Sequence, residues 1–231
     1  MNKAAPQALL DGSARIALQT DPPFDRYLFI EQDAARCASL KDLQKEFPDL
    51  ASRIDVRQGD ANVAIRDICN EGDWRRQRAV LFLDPYGMQV EWSTIEAIAV
   101  TKAIDLWLLF PLGMGVNRLL TKSGDIPESW RRRLDIMLGT KDWFDAFYKA
   151  RSRETLFGEQ EDLIKAKTDT IGRYFNDRLE DVFEGVAPKP GVLWNSRNSP
   201  LYLLCFAVGN PHDRAKEIAL RIANHMLKEM R

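Results

Sequence analysis

Residues 79–87 read AVLFLDPYG, an unbroken apolar run closed by Asp84, Pro85, Tyr86 and Gly87. Five apolar residues ending in turn-forming Pro and Gly predict a strand over Ala79 to Leu83, buried on both faces as strands of parallel sheets are. A second run of this kind, AIDLWLLF at 103–110, ends at Pro111, and residues 91–101 between the two have helical spacing. Upstream, FDRYLFIE at 24–31 and IDVRQ at 54–58 predict two further strands, followed by helical patterns at 32–47 and 62–69. The resulting β-α-β-α-β-α-β order argues for an α/β fold with a mostly parallel sheet flanked by helices. Right-handed crossovers then bring all the strand carboxyl ends to one edge.

The pattern changes after Ser123. Residues 123–189 hold no β-like run, while Trp130, Leu134, Met137 and Leu138, then Trp143, Phe144, Phe147 and Tyr148, recur at helical spacing. A helical insertion of two to four helices is expected there, with the aromatic residues in its core. Beyond it, GVLW at 191–194 and LYLLCFAV at 201–208 flank a short turn and predict an antiparallel hairpin at one sheet edge. The last helix, 213–230, sets Ile218, Ile222, Met226 and Leu227 on one stripe. With ~100–200 residues per domain, the 231 residues predict a single domain carrying the insertion.

Composition narrows the chemistry. Lys+Arg 33 against Asp+Glu 34 leaves a net charge of -1, which excludes a body that grips nucleic acid over its whole surface. A local patch built from Arg131, Arg132 and Arg133 with Arg75, Arg76 and Arg78 stays open, although short basic runs are more often solvated helix faces. Cys37, Cys69 and Cys205 are too scattered for a disulfide framework or a zinc knuckle, and two histidines, His212 and His225, are too few for a metal site, so no metal is expected. The N-terminus lacks the apolar stretch of a signal peptide, and no run reaches the ~20 apolar residues of a membrane span. A cytoplasmic protein without a membrane partner is the expectation.

In an open α/β sheet, ligands bind beyond the carboxyl ends of the strands, and here three acids stand there: Glu31, Asp60 and Asp84. A carboxylate can accept hydrogen bonds from ribose hydroxyls or from an exocyclic amine, which suits a nucleoside. Equally, each acid can cap the helix that follows it. Asp84-Pro85-Tyr86-Gly87 is the sharpest of these elements: the acid can orient an amine and the aromatic can stack on a planar ring such as a flipped base. The Gly113-x-Gly115 pair follows a strand but is too short for a dinucleotide loop.

Residues 81–120, LFLDPYGMQVEWSTIEAIAVTKAIDLWLLFPLGMGVNRLL, resemble the three-Cys-motif partner protein family. Further along the chain, GSARIAL from Gly12 resembles that family's GSP-x-x-AL segment, and residues 24–33 resemble its Y-x-F-I-E-x-D strand. Gly59-Asp60-Ala61-Asn62 resembles its G-D-A-N turn, and residues 200–207 its P-L-Y-x-L-x-F-A strand. The likeness implies a class I methyltransferase-like, Rossmann-like sheet that uses S-adenosylmethionine to modify an amine of nucleic acid. It also implies a radical-SAM-like partner protein with a three-cysteine motif. On the matching positions it implies Asp84, Pro85 and Tyr86 as catalytic, and Glu31, Asp60 and Ala61 as holding the cofactor. Gly12, Ser13, Gly87 and Asn117 would line the substrate.

The chain departs from the family in two respects. The family's opening strand and D-x-F-A-G-x-G turn have no counterpart in the eleven residues before Gly12, so the central strand of the sheet is expected to be missing, with residues 4–10 or a second chain filling its place. Adenine methyltransferases also carry Pro-Pro-aromatic after the acid, whereas a single Pro85 stands here. A catalytically degenerate scaffold that serves as an interaction module is the competing expectation.

Overall fold

A computed structural model describes residues 12–85, 87–155 and 158–230, with the side chains of 152–162 outside the description. Tyr86 and residues 4–10, both prominent in the sequence reading, lie outside the described residues. The chain is an α/β protein that divides into two compact units, Met1–Ala64 and Ile65–Arg231.

The first unit begins with helix α1 (Ser13–Leu18) and is built on strands β1 (Tyr27–Glu31) and β2 (Ile54–Gln58), joined by helix α2 (Ala34–Glu46). No strand precedes β1 among the described residues. β1 and β2 pair in parallel, with Tyr27 opposite Ile54 and Glu31 opposite Gln58. Asp33 starts α2 because its carboxylate accepts the Arg36 N–H at 2.8 Å, satisfying an otherwise unpaired first-turn donor. Leu18, Tyr27, Leu43 and Ile54 form the core of this unit. Helix α3 (Ala61–Glu71) follows β2.

In the second unit, β3 (Ala79–Leu83) and β4 (Ile104–Phe110) pair in parallel, joined through helix α4 (Trp92–Val100). Strand β9 (Pro200–Val208) runs antiparallel to β4 and also carries β7 (Gly185–Val186) and β8 (Gly191–Trp194), giving the order β3-β4-β9-β7 with β8 on β9. Among the described residues parallel pairing is confined to β1–β2 and β3–β4, and the larger sheet is mixed rather than mostly parallel. The hairpin predicted at 191–208 is present, but β9 lies inside the sheet rather than at its rim. Asn195 shapes the turn by accepting the N–H groups of Arg197 and Ser199, both at 2.9 Å.

β4 alternates along its length. Ile104, Leu106, Leu108 and Phe110 are buried on one face, while Asp105, Trp107 and Leu109 sit half-buried on the other. On the first face Phe110 stacks against Phe175 of helix α8 (Thr168–Glu180) at 3.9 Å between centroids, and Trp92 meets Phe175 edge-on at 6.2 Å. On the second face Phe206, Val208, Ala223 and Leu227 form a cluster with Trp107, which docks helix α9 (Asp213–Lys228) on the sheet.

Three expectations are corrected here. β3, the end strand of its sheet, is not buried on both faces: Leu83 is buried and Ala79 and Leu81 half-buried, but Val80 and Phe82 on the other face are 54% and 44% exposed. The segment 123–189 is not purely helical. Between helices α6 (Glu128–Leu138) and α7 (Trp143–Phe147) and helix α8 it folds a hairpin of β5 (Tyr148–Thr155) and β6 (Gly158–Lys165). Most of that hairpin's residues are polar or charged, so it carries no hydrophobic alternation to read. The aromatic residues before it do form core, with Trp143 and Phe147 fully buried and the Trp143 indole donating to Asp135 at 2.7 Å. Finally, α9 buries Ala223 and Leu227 against the sheet, while Ile218, Ile222 and Met226 face outward.

Asp105 closes the far end of β9 by accepting the Gly209 N–H at 3.1 Å. Burial raises its pKa, opposed by that N–H and by the charge of Arg78. A carboxylate with a raised folded-state pKa costs stability at pH values above that pKa, and the cost fades as falling pH protonates it. Asp105→Asn keeps the acceptor for Gly209 and removes the charge. Thermal melts should show a gain in Tm near neutral pH that shrinks as the pH approaches the ordinary carboxylate range; a loss at neutral pH would contradict this account.

Candidate functional site

At the carboxyl edge of the first unit, the parallel pairing brings Glu31 and Gln58 opposite each other, and the Gly59 N–H donates to the Glu31 carbonyl at 3.1 Å. Glu31 and Asp60 therefore stand at the same end of this two-stranded sheet. Both have local duties. Glu31 Oε1 accepts the Asp33 N–H at 2.9 Å, and its Oε2 lies 3.9 Å from the Arg36 guanidinium. Asp60 Oδ1 accepts the N–H groups of Asn62 at 2.8 Å and Val63 at 3.2 Å, which is an N-cap on α3. The capping role weighed for these acids is thus real for Asp60. Each carboxylate nevertheless uses one oxygen for its own backbone and leaves the second without a hydrogen-bond donor among the described residues. Ala61, the first residue of α3, is exposed beside them.

Gly12 is the N-cap of α1, its carbonyl accepting the Arg15 and Ile16 N–H groups at 2.9 and 3.1 Å. Gly12 and Ser13 are both exposed, and a Cβ on Gly12 would meet nothing within 4 Å.

At the carboxyl edge of the second unit, Asp84 and Pro85 leave β3 beside Pro111, which leaves β4. Asp84 is exposed and makes no hydrogen bond or ion pair among the described residues. It does not cap α4: Glu91 occupies that N-cap position, itself held by Arg66 at 2.7 Å. Gly87 itself adopts φ +69, in the left-handed region, with open space where a Cβ would stand. The next loop packs closely against this connection, since a Cβ on Gly115 would lie 2.8 Å from Met88. A Cβ on Gly113 would collide with the Pro200 carbonyl, so this pair of glycines serves packing rather than phosphate binding.

Asn117 is half-buried at the start of the short helix α5 (Asn117–Leu119). Its carbonyl and that of Leu120 each accept from Lys165 Nζ at 2.7 Å. Burial, and then the charge of Lys122, lower the Lys165 pKa. This ammonium fastens the β5–β6 hairpin to the loop that carries Asn117, a contact that spacing alone did not reveal. Asp84 and Gly87 follow β3 and Asn117 follows β4, at the carboxyl end of the β3–β4 pair, where the two connections meet at Met88 and Gly115.

A shallow hollow of about 500 Å³ opens elsewhere, lined by Cys69, Trp74, Val100 and Thr101. It lies by the carboxyl ends of α3 and α4, at the opposite end of β3 and β4 from Asp84. Burial pushes the Cys69 thiol up to about 11 and Cys205 up to about 12, which leaves both as protonated, inert packing groups at neutral pH. Among the described residues no three His, Cys, Asp or Glu side chains gather as a metal site, and no helix is long and apolar enough to cross a membrane.

No family model, curated protein or solved structure matches the chain.

Proposed function

We propose that the chain is a methyltransferase-type protein that uses S-adenosylmethionine to methylate an amine of nucleic acid, alongside a three-Cys-motif radical-SAM-like partner. The observation that carries this reading is Asp84: an exposed carboxylate at the end of a parallel strand, with no capping or pairing partner among the described residues, and with Gly87 open and at positive φ three residues on. A carboxylate free of structural work at a strand end is available to a ligand.

The first unit fits the adenosine half of the cofactor. Asp60 keeps one oxygen without a hydrogen-bond donor, and Glu31 keeps Oε2, which faces Arg36 at 3.9 Å; these are acceptors of the kind that ribose hydroxyls and an exocyclic amine require. No described residue makes a matching cradle for the methionine half. When bound, the cofactor supplies an electrophilic methyl group. Asp84 would accept a hydrogen bond from the substrate amine and so fix the direction of its lone pair, which matters more for a weakly acidic N–H than deprotonation does. Gly87 leaves room for a substrate to approach, and Asn117, at the start of α5, would contribute to the substrate side.

The second reading, an interaction scaffold without catalysis, is favoured by the local hydrogen bonds that already occupy one oxygen of each acid. Calorimetry with S-adenosylmethionine on the wild type, Glu31→Gln and Asp60→Asn separates the two. Asparagine is as good an N-cap as aspartate, so Asp60→Asn removes charge without unfolding α3. A lost charge-assisted hydrogen bond costs ~1.5–3 kcal/mol, so each variant should bind roughly ten- to a hundredfold more weakly. Equal affinity across the three would leave both acids as structural only. No heat from the wild type would favour the scaffold.

A further inference from the structure

We propose that the outer face of α9 is a docking surface for an acidic amphipathic helix of another protein. Ile218, Ile222 and Met226 are 41%, 54% and 52% exposed and follow one another at four-residue intervals, so they form a single row about 12 Å long. The helix is anchored from its other side by Ala223 and Leu227, which are fully buried in the cluster with Phe206 and Val208. The row is therefore held rigidly and cannot turn inward.

The flank of this row is basic. Arg214, Arg221 and Lys228 recur every seventh residue beside it, with His225 among them, and all four are exposed. None of the three permanent cations makes an ion pair among the described residues; the one ion pair within the helix, Lys216 with Asp213 at 3.1 Å, belongs to other residues. Of the acids nearby, Glu217 lies beyond the basic row and Glu229 at the helix end. An apolar row bordered by unpaired cations is complementary to a helix with apolar residues at i, i+4 spacing and carboxylates along one edge.

Two other occupants fit less well. An antiparallel two-fold pairing of copies along this row would set the basic flank against itself, and like charges would oppose it. A membrane surface calls for a broad face rich in Trp, Phe and Leu, whereas this row is one aliphatic residue wide, with the rest of the apolar circumference already packed on the sheet. The inference is independent of methyl transfer and of cofactor binding.

The test is selection of helical peptides with a fixed Leu row and edge positions randomised among Glu, Gln and Lys, panned on the full chain. The expected winners are rich in Glu on one edge. They should bind at least tenfold more weakly to Ile222→Asp and to Arg221→Glu, and weaken with added salt. Both substitutions fall at exposed positions, and unchanged melting curves confirm that folding is intact. Winners without charge preference, or no binders, would overturn the proposal. So would concentration-dependent dimerisation lost in Ile222→Asp, which assigns the face to a second copy. Binding to phosphatidylserine vesicles that Ile222→Asp abolishes, with no peptide selectivity, assigns it to an anionic membrane and overturns it too.

Discussion

Asp84→Ala is expected to slow methyl transfer to an adenine amine by about a hundredfold or more, the usual penalty when a reacting group loses its alignment. The melting temperature should not move, because Asp84 is exposed, caps no helix and pairs with no cation among the described residues. Surface substitutions away from such features typically fall within about 0.5 kcal/mol. The measurement is incorporation of labelled methyl from S-adenosylmethionine into an adenine-containing oligonucleotide. It should be made with the chain as it stands and with an N-terminal extension that restores a D-x-F-A-G-x-G turn. Activity confined to the extended protein, and lost with Asp84→Ala, would place the chemistry at this strand end. Undiminished transfer in the Asp84 variant would remove that residue from the mechanism.

The largest stability effect is expected at Phe175. Its ring is fully buried on α8, stacked 3.9 Å from Phe110 of β4 and edge-on to Trp92 of α4, so one side chain joins a sheet strand to two helices. Phe175→Ala removes those contacts and leaves a cavity that the Phe110 and Trp92 rings cannot close, at a cost of about 3–5 kcal/mol. For a chain of this size the melting temperature should fall by roughly 10 °C. Urea unfolding would show the same loss as a lower midpoint with an unchanged slope. A loss below about 1 kcal/mol would mean that α8 contributes little to closing this face of the sheet.

The strand ending in Asp84, the strand before Pro111 and the hairpin at 191–208 were legible from residue pattern, because apolar runs bounded by Pro, Gly or Asn have few alternatives. The helices after β1 and β2 are legible from apolar spacing; Asp60 caps the second as its position allows, whereas the first is capped by Asp33 rather than by Glu31. What pattern could not decide was context. AVLFL reads as buried on both faces, yet Val80 and Phe82 are exposed, and which face of a strand is covered, like strand order, is set by long-range packing that no local window contains. The β5–β6 hairpin escaped notice because backbone pairing holds polar residues as readily as apolar ones. On α9, Ile218, Ile222 and Met226 carry the same periodic signal as a core stripe, but it is Ala223 and Leu227 that pack inward with Phe206 and Val208, a choice made by the sheet and not by periodicity. Residue order thus marked the strands with apolar runs, the amphipathic helices and where acids would meet strand ends, but not the polar β5–β6 hairpin. Only tertiary packing decided which apolar face remained outside, and which of the acids was left without structural duty.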